Sequence, residues 1–375
     1  MLKQLADINV VEMGTFITGP AAAMQLADLG ADVIKVERPG TGDPFRAFRG
    51  ELYSPHFQTY NRNKRSVELD TRDAADLEQF DALIAKADIF IQNFRPGAAA
   101  RLNVSYERLS AINPGLIYCS ISGFGNSGPD RDRPAFDTVA QASSGFLRLL
   151  LNPAQPRVVG PAIADAITGI FTAMGALSAL HTRNVSGKGA LVETSMLEAM
   201  SYFNLDDFQH FLSEGMTMDA FSRPHVSQSY VFACADGAQI ALHMSSPAKF
   251  WENLLIALEQ PELTADPIFG DRNARIENYE GILAKLQPVF AAKPIEHWLS
   301  RLSQYEVPHY RVADPKSVLA SAQAQHLGLE VKGESPLGGN FRTVRNPVTI
   351  DGERMDAVTA PPVLGQHNGT GFRDR

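Results

Sequence analysis

Cysteine is almost missing from this chain: Cys119 and Cys234 are the only two among 375 residues. A disulfide framework is therefore excluded, and neither thiol has a Cys or His nearby at metal-ligand spacing. Cys119 falls in the apolar run 116–121, where a buried and inert thiol is expected. Long hydrophobic stretches are also missing. With no run of about 18 apolar residues, no membrane-spanning helix is expected. Residues 1–13 lack the basic region and apolar core of a signal peptide. These absences point to a cytoplasmic protein without a membrane partner. Positive charge is in deficit, since 34 Lys and Arg face 42 Asp and Glu for a formal net charge of -8. Nucleic acid is not expected as a partner, because phosphate-backbone binding rests on clustered cations. The chain has no G-x-S-x-G for a serine hydrolase and no H-E-x-x-H for zinc, so no metal site is expected.

What is present reads as an ordinary globular chain, 44% hydrophobic and 20% charged. Ile8–Met13 is strand-like, and Gly19–Leu29 carries alanines with Met24, Leu26 and Leu29 at helical spacing. Gly30 marks the helix end, and Asp32–Val36 is the next strand. The alternation continues through a helix at 77–87, a strand at 88–92, short helices at 97–102 and 106–112, and a strand at 116–122. That pattern predicts an α/β domain with a mostly parallel sheet. Helices are expected at 137–149, 166–182 and 197–212, with a strand at 190–193 between the last two. The stretch 214–228 reads as a linker. After it, Tyr230–Ala233 and Gln239–Leu242 flank Asp236-Gly237 as a hairpin, and helices are expected at about 247–258, 278–290 and 295–304. Residues 229–329 thus form a smaller α+β domain, and from about 330 the chain returns to short strands and turns.

Three segments bear on chemistry. Gly14–Pro20 joins a strand to a helix, where free N–H groups favour an anion, and it is neither G-x-G-x-x-G nor a P-loop. Arg38 follows the second strand, the end at which open α/β sheets bind ligands. Asn61–Arg65 adds three cations in a loop, and with Arg95 and Arg101 these suit a phosphate-rich ligand. The third segment is Gly160–Gly169. Asp165 opens a helix of small residues there, as an N-cap or as a carboxylate kept ionised by the helix N-terminus. An ionised carboxylate can attack an activated carbonyl. Gly169, one turn on, would leave room for a substrate. His56, His225, His243 and His367 are scattered and read as surface or structural.

Taken together, these blocks resemble the family III CoA-transferases, a superfamily that includes formyl-CoA and carnitine CoA-transferases and alpha-methylacyl-CoA racemases. The resemblance is carried by Leu29–Gly40, Asn61–Asp70, Asp88–Gly97, Asn113–Gly125, the Asp165 segment, Ser186–Gly189 and Ala360–His367. It implies a Rossmann-like large domain from 1–213 and 330–375, a ring-shaped chain, and two rings interlocked as a homodimer. It implies Asp165 as nucleophile and Arg38, Asn63, Lys64, Arg65, Asn93, Phe94 and Arg101 as CoA contacts. Thr15, Phe16, Ile17 and Thr18 would lie beside the thioester, with Phe136 and Asp137 near the acyl group. Coenzyme A enters as part of the substrate, the acyl-CoA and the carboxylic acid being the partners, with no tightly bound cofactor. The related racemases have a histidine where this chain has Phe136, and α-proton chemistry needs two opposed titratable groups, so racemisation is the lesser alternative. Formyl-CoA transferases have a glutamine at the position of Ile17 and a glycine-rich loop not found near 221–236, which argues against formyl and oxalyl groups. A non-catalytic CoA-binding protein is the other alternative.

Overall fold

The apolar runs of the first 200 residues form one parallel sheet. Its strands are β1 (Asn9–Glu12), β2 (Asp32–Glu37), β3 (Lys64–Glu68), β4 (Ile89–Gln92), β5 (Ile117–Ser122) and β6 (Ala190–Ser195), in the order β3-β2-β1-β4-β5-β6. Every neighbouring pair is parallel. This computed structural model describes residues 2–49, 52–245, 248–260, 263 and 265–373. Successive strand residues face opposite sides. Val10 joins a core made with α1 (Thr18–Asp28) and a later helix, whereas Val11 faces Phe80 and Leu109 on the other side. Gly30 ends α1 at φ 109°, and a Cβ there would lie 2.5 Å from the Leu2 carbonyl oxygen, so only glycine makes this turn.

Further helices are α2 (Pro55–Tyr60), α3 (Ala74–Ile84), α4 (Ala98–Arg101), α5 (Tyr106–Ile112), α6 (Asp137–Ser143), α7 (Ile163–Ser186), α8 (Met196–Phe203) and α9 (Leu205–Glu214). The helix expected at 166–182 is thus longer, and the one expected at 197–212 is broken at Asn204. By length and composition α7 could cross a membrane, contrary to the expectation of no such segment. One face of it is buried, however, with Ala173, Ala176 and Leu180 in the sheet core, as in a core helix.

Two compact units make up the chain. The first comprises 1–147, 158–208 and 322–375, and the second comprises 148–157 and 209–321. The expected boundaries fell at 213, 229 and 330, and the segment 148–157 was not anticipated. The expected linker 214–228 contains the helix α10 (Ser222–Ser227). In the second unit β7 (Ser229–Ala233), β8 (Gln239–His243) and β9 (His309–Arg311) form an antiparallel sheet. Its buried side chains Tyr230, Phe232 and Ile240 pack with those of α11 (Ala248–Leu258), while α12 (Arg272–Glu277) sets Arg275 over the Trp251 ring, and α13 (Tyr279–Ala291) and α14 (Ile295–Gln304) complete the same core.

The basic segment 61–65 departs most from expectation. It is not a solvated loop but a turn running into edge strand β3, and Lys64 and Arg65 are buried. The returning C-terminal segment covers it: Asn63 exchanges hydrogen bonds with Thr359 at 2.8 and 2.9 Å, and the His367 N–H reaches the Ser66 carbonyl.

Candidate active site

In a doubly wound sheet the crevice lies where strand order reverses, outside the carboxyl ends. Here that point is between β1 and β4. Asn93, just after β4, ties the two loops together. Its Oδ1 accepts the Thr15 N–H at 2.8 Å, and its Nδ2 donates to the Thr15 carbonyl and to Thr18 Oγ1, each at 2.8 Å. Phe16 is held at φ 62°, a left-handed conformation that costs a bulky residue roughly 1–3 kcal/mol. Its N–H donates to Asp43 Oδ1 at 3.1 Å, which fixes the turn.

Beneath this turn is a fully buried ionic cluster. Lys35 Nζ meets Glu12 Oε1 at 3.0 Å, Asp43 Oδ2 at 3.1 Å and the Gly14 carbonyl at 2.8 Å. Lys64 Nζ meets Glu12 Oε2 at 3.1 Å, the Pro20 carbonyl at 2.8 Å and Asn61 Oδ1 at 2.9 Å. Arg46 grips Glu37 with two bonds of 2.7 Å. Three cations thus face three carboxylates. Burial works against the Lys35 charge, yet Glu12, Asp43 and Glu37 outweigh it and raise the ammonium's pKa. Lys64 goes the other way, pushed down to about 8 by burial despite Glu12.

Two cavities open at the strand ends. The larger, about 310 Å³, is lined by Thr15–Thr18, Phe136 and Asp165, so the structure gathers those expected residues into one place. The second, about 200 Å³, lies outside β1, β2 and β3, with Arg38 and Arg72 in its wall. Thr15 and Phe94 line both, so the cavities adjoin. Arg72 is paired with Asp70 at 2.7 Å, while Arg38 is exposed.

Asp165 stands in the first turn of α7, three residues past the N-cap Ala162, which itself makes no side-chain cap. The cap is supplied from elsewhere. Asp137, in the first turn of α6, accepts the N–H of Ala164 at 2.8 Å and of Asp165 at 3.3 Å through Oδ1, and Gln141 Nε2 donates to its Oδ2 at 2.6 Å. Asp137 was expected near the acyl group, and its oxygens accept from the start of α7 and from Gln141. Burial and then the Asp137 charge push the Asp165 carboxyl up to about 7. The expectation that the helix N-terminus keeps it ionised near neutral pH is therefore corrected: desolvation and a like charge push the other way. Burial, and the charges of Asp165 and Asp137, also raise the Tyr60 phenol.

Gly169 does not make room for a substrate. A Cβ there would lie 2.8 Å from Ala21 Cβ and 3.0 Å from the Thr18 carbonyl oxygen, so the glycine brings α7 against α1. Asn63, Lys64 and Arg65, expected as CoA contacts, are engaged internally. Asn63 Nδ2 donates to Asp28 at 2.8 Å, and Arg65 forms bonds of 3.0 and 2.6 Å to Asp32. Arg101 lies on α4 outside both cavity walls. Asn93 works chiefly as the strut described above, while Phe94 lines both cavities.

Sequence reasoning missed Arg131 and Arg133, which line the Asp165 cavity from the loop after β5. In Asp130-Arg-Asp-Arg133 each cation neighbours an acid, which reads as a solvated loop. Their position after a central strand was the available signal. The spacing Gly123–Gly128 does match G-x-G-x-x-G, but it leads into an exposed loop, and the helix α6 starts only at Asp137. Cys119 is buried and its thiol is pushed up to about 12 by burial, so it is inert. Among the described residues no group of three His, Cys, Asp or Glu is placed to hold a metal ion.

Known proteins resemble this chain along nearly its whole length. A succinyl-CoA–D-citramalate CoA-transferase of Chloroflexus aurantiacus is 31% identical, over 99% of this chain and 94% of its own length. A succinyl-CoA:mesaconate CoA-transferase of Haloarcula marismortui is 35% identical, over 97% of this chain and 94% of its own. The crystal structure of a CAIB/BAIF family protein from Brucella suis superposes with a TM-score of 0.85 at 30% identity, covering 96% of both chains. The description of CoA-transferase family III matches residues 5–368, and the chain belongs to that family of enzymes.

Proposed function

We propose that this CoA-transferase moves CoA from an acyl-CoA to a carboxylic acid through covalent intermediates on Asp165. The observation that carries the reading is a half-buried carboxylate, the only one among the described residues in the wall of its cavity, poised near neutrality. Once ionised, an Asp165 oxygen attacks the thioester carbonyl. The C–S bond breaks, CoA leaves as thiolate, and an aspartyl–acyl anhydride remains. The thiolate attacks the Asp165 carbonyl carbon and expels the donor carboxylate, leaving an aspartyl-CoA thioester. The acceptor carboxylate attacks that thioester, and the released thiolate then takes the new acyl group and frees Asp165. No proton is gained or lost overall, and no ATP is needed because the thioester energy stays in covalent form.

The N–H groups of Ile17 and Thr18, at the opening of α1, are suited to the tetrahedral oxyanions. Phe16, Ile17 and Phe136 present apolar surface that limits water, which would hydrolyse the anhydride. The adjoining cavities suit an extended ligand, with the CoA nucleotide near Arg38 and the thioester near Asp165. The names of the relatives support succinyl-CoA as donor. A cytoplasmic homodimer is proposed too. Exposed apolar residues Ile170, Met174, Tyr202, Phe203 and Leu205 support self-association, and light scattering at the 40.9 kDa mass of one chain would refute it.

The test is Asp165→Ala. Transfer is expected to fall by about 10⁴-fold or more with CoA binding retained. In the unaltered protein, hydroxylamine is expected to trap residue 165 after mixing with acyl-CoA. Transfer at an unchanged rate in the variant would refute the reading.

A further inference from the structure

Charge in the Asp165 cavity is out of balance with the rest of the molecule. The chain carries a formal net charge of -8, yet among the described residues this wall presents Arg95, Arg131 and Arg133 against the single carboxylate of Asp165. Arg95 follows Phe94, which lines both cavities. Arg131 and Arg133 come from the loop after β5, beyond Gly123. If the CoA phosphates lie near Arg38, these two guanidiniums face some other anion.

Their present partners hold them weakly. Arg131 Nε is 3.4 Å from Asp132 Oδ1, and Arg133 Nη1 is 3.8 Å from Asp130 Oδ1. Both pairs are well exposed, and such pairs contribute little. Asp130 and Asp132 do not line the cavity, so the alternating acids point their neighbours inward without filling the space. Arg133 also lies 5.7 Å from the Phe124 ring centroid, which limits its wandering. The same wall also carries the apolar side chains of Ala135, Phe136 and Met196. A carbon chain lying on this apolar surface would carry a thioester at one end and an anion at the other.

We propose that Arg131 and Arg133 bind the distal carboxylate of a dicarboxylic acyl group, making the enzyme selective for ω-carboxylated acyl-CoA thioesters over plain ones. This rests on CoA transfer at Asp165. A planar guanidinium matches a carboxylate with two parallel bonds, and a bound acid that excludes water makes a stronger pair than the exposed aspartates do.

Succinyl-CoA and butyryl-CoA provide the test, because their acyl chains have equal length and differ only in the distal carboxylate. CoA release and exchange of labelled CoA would be measured for the full protein and for the Arg131→Gln/Arg133→Gln double variant. The expected result is a fall of about 100-fold in kcat/KM for succinyl-CoA. Butyryl-CoA, as substrate or competitive inhibitor, should change by less than about twofold. Partial recovery by lysine at both positions is expected as well. Equal losses for both thioesters, or no loss for either, would overturn the assignment. Thermal unfolding of the double variant, expected within a few degrees of the natural protein, reports on folding separately, so equal losses in a folded variant count against the anchor. If the unaltered protein forms no Asp165 adduct with any acyl-CoA, the transfer mechanism fails and this proposal fails with it. An adduct with unchanged selectivity removes the anchor alone.

Discussion

Two charged regions lie within the same unit and follow opposite rules. Below the Thr15–Thr18 turn, Glu12, Lys35, Glu37, Asp43, Arg46 and Lys64 are buried and matched in sign. Around Asp165 the matching stops: one carboxylate is pressed by a second, Asp137, while arginines line the same cavity. The difference teaches how to read a charge. A matched buried cluster fixes geometry, here the backbone of Gly14 and Phe16, and has no capacity left for a ligand. An unmatched charge in a cavity keeps the energy that a substrate or reaction can use.

Breaking the matched side gives the largest effect. Lys35→Met leaves Glu12 and Asp43 facing each other without their shared ammonium. A loss of about 3–5 kcal/mol is expected in urea unfolding. A change below about 1 kcal/mol would show that the cluster is not the structural tie described.

The unmatched side should respond in the opposite direction. Asp165 titrates at about 7 in the folded protein against an ordinary 3.8. Its raised value means the folded state holds the proton more tightly than the unfolded chain. The associated stability is fully present below pH 3.8 and is lost as pH rises through 7. The gap corresponds to about 4 kcal/mol at most, and water at the cavity mouth screens it toward about 2 kcal/mol. Asp165→Asn is therefore expected to be more stable than the natural protein at pH 8 and equal to it near pH 4. Thermal unfolding across that range measures the difference, and lower stability of the variant at pH 8 would contradict it.

The smallest effect separates the two carboxylates. Asp137→Asn keeps an oxygen for the Ala164 N–H but removes the like charge. The acidic limb of the kcat/KM profile, set by Asp165 ionisation, is expected to move down by about one pH unit. An unmoved limb would assign the raised value to burial alone.

Much of the fold was legible because periodicity survives in the sequence. The sheet core around Val10, Ile34 and Ile91, and the Asp236-Gly237 hairpin, are local patterns of apolar residues and turn formers. Family-level blocks also led to Asp165 and the Thr15–Thr18 loop. What misled was the run 61–65. Three cations in five residues look like a ligand loop, and nothing local reveals that Asp28, Asp32 and Glu12 lie within hydrogen-bond reach. Arg131 and Arg133 were missed for the converse reason. Each has an acid beside it in the chain, so the run looks self-neutralising, whereas only one member of each pair faces the cavity.

By itself the sequence determined the α/β class, the family and the nucleophile candidate, since these depend on residue type and order along the chain. Tertiary structure alone decided which charges are matched. Ion pairing and desolvation depend on separations of a few ångströms between residues far apart in sequence. Asp137 and Asp165 are 28 positions apart, yet a carboxylate oxygen of one accepts the backbone N–H of the other.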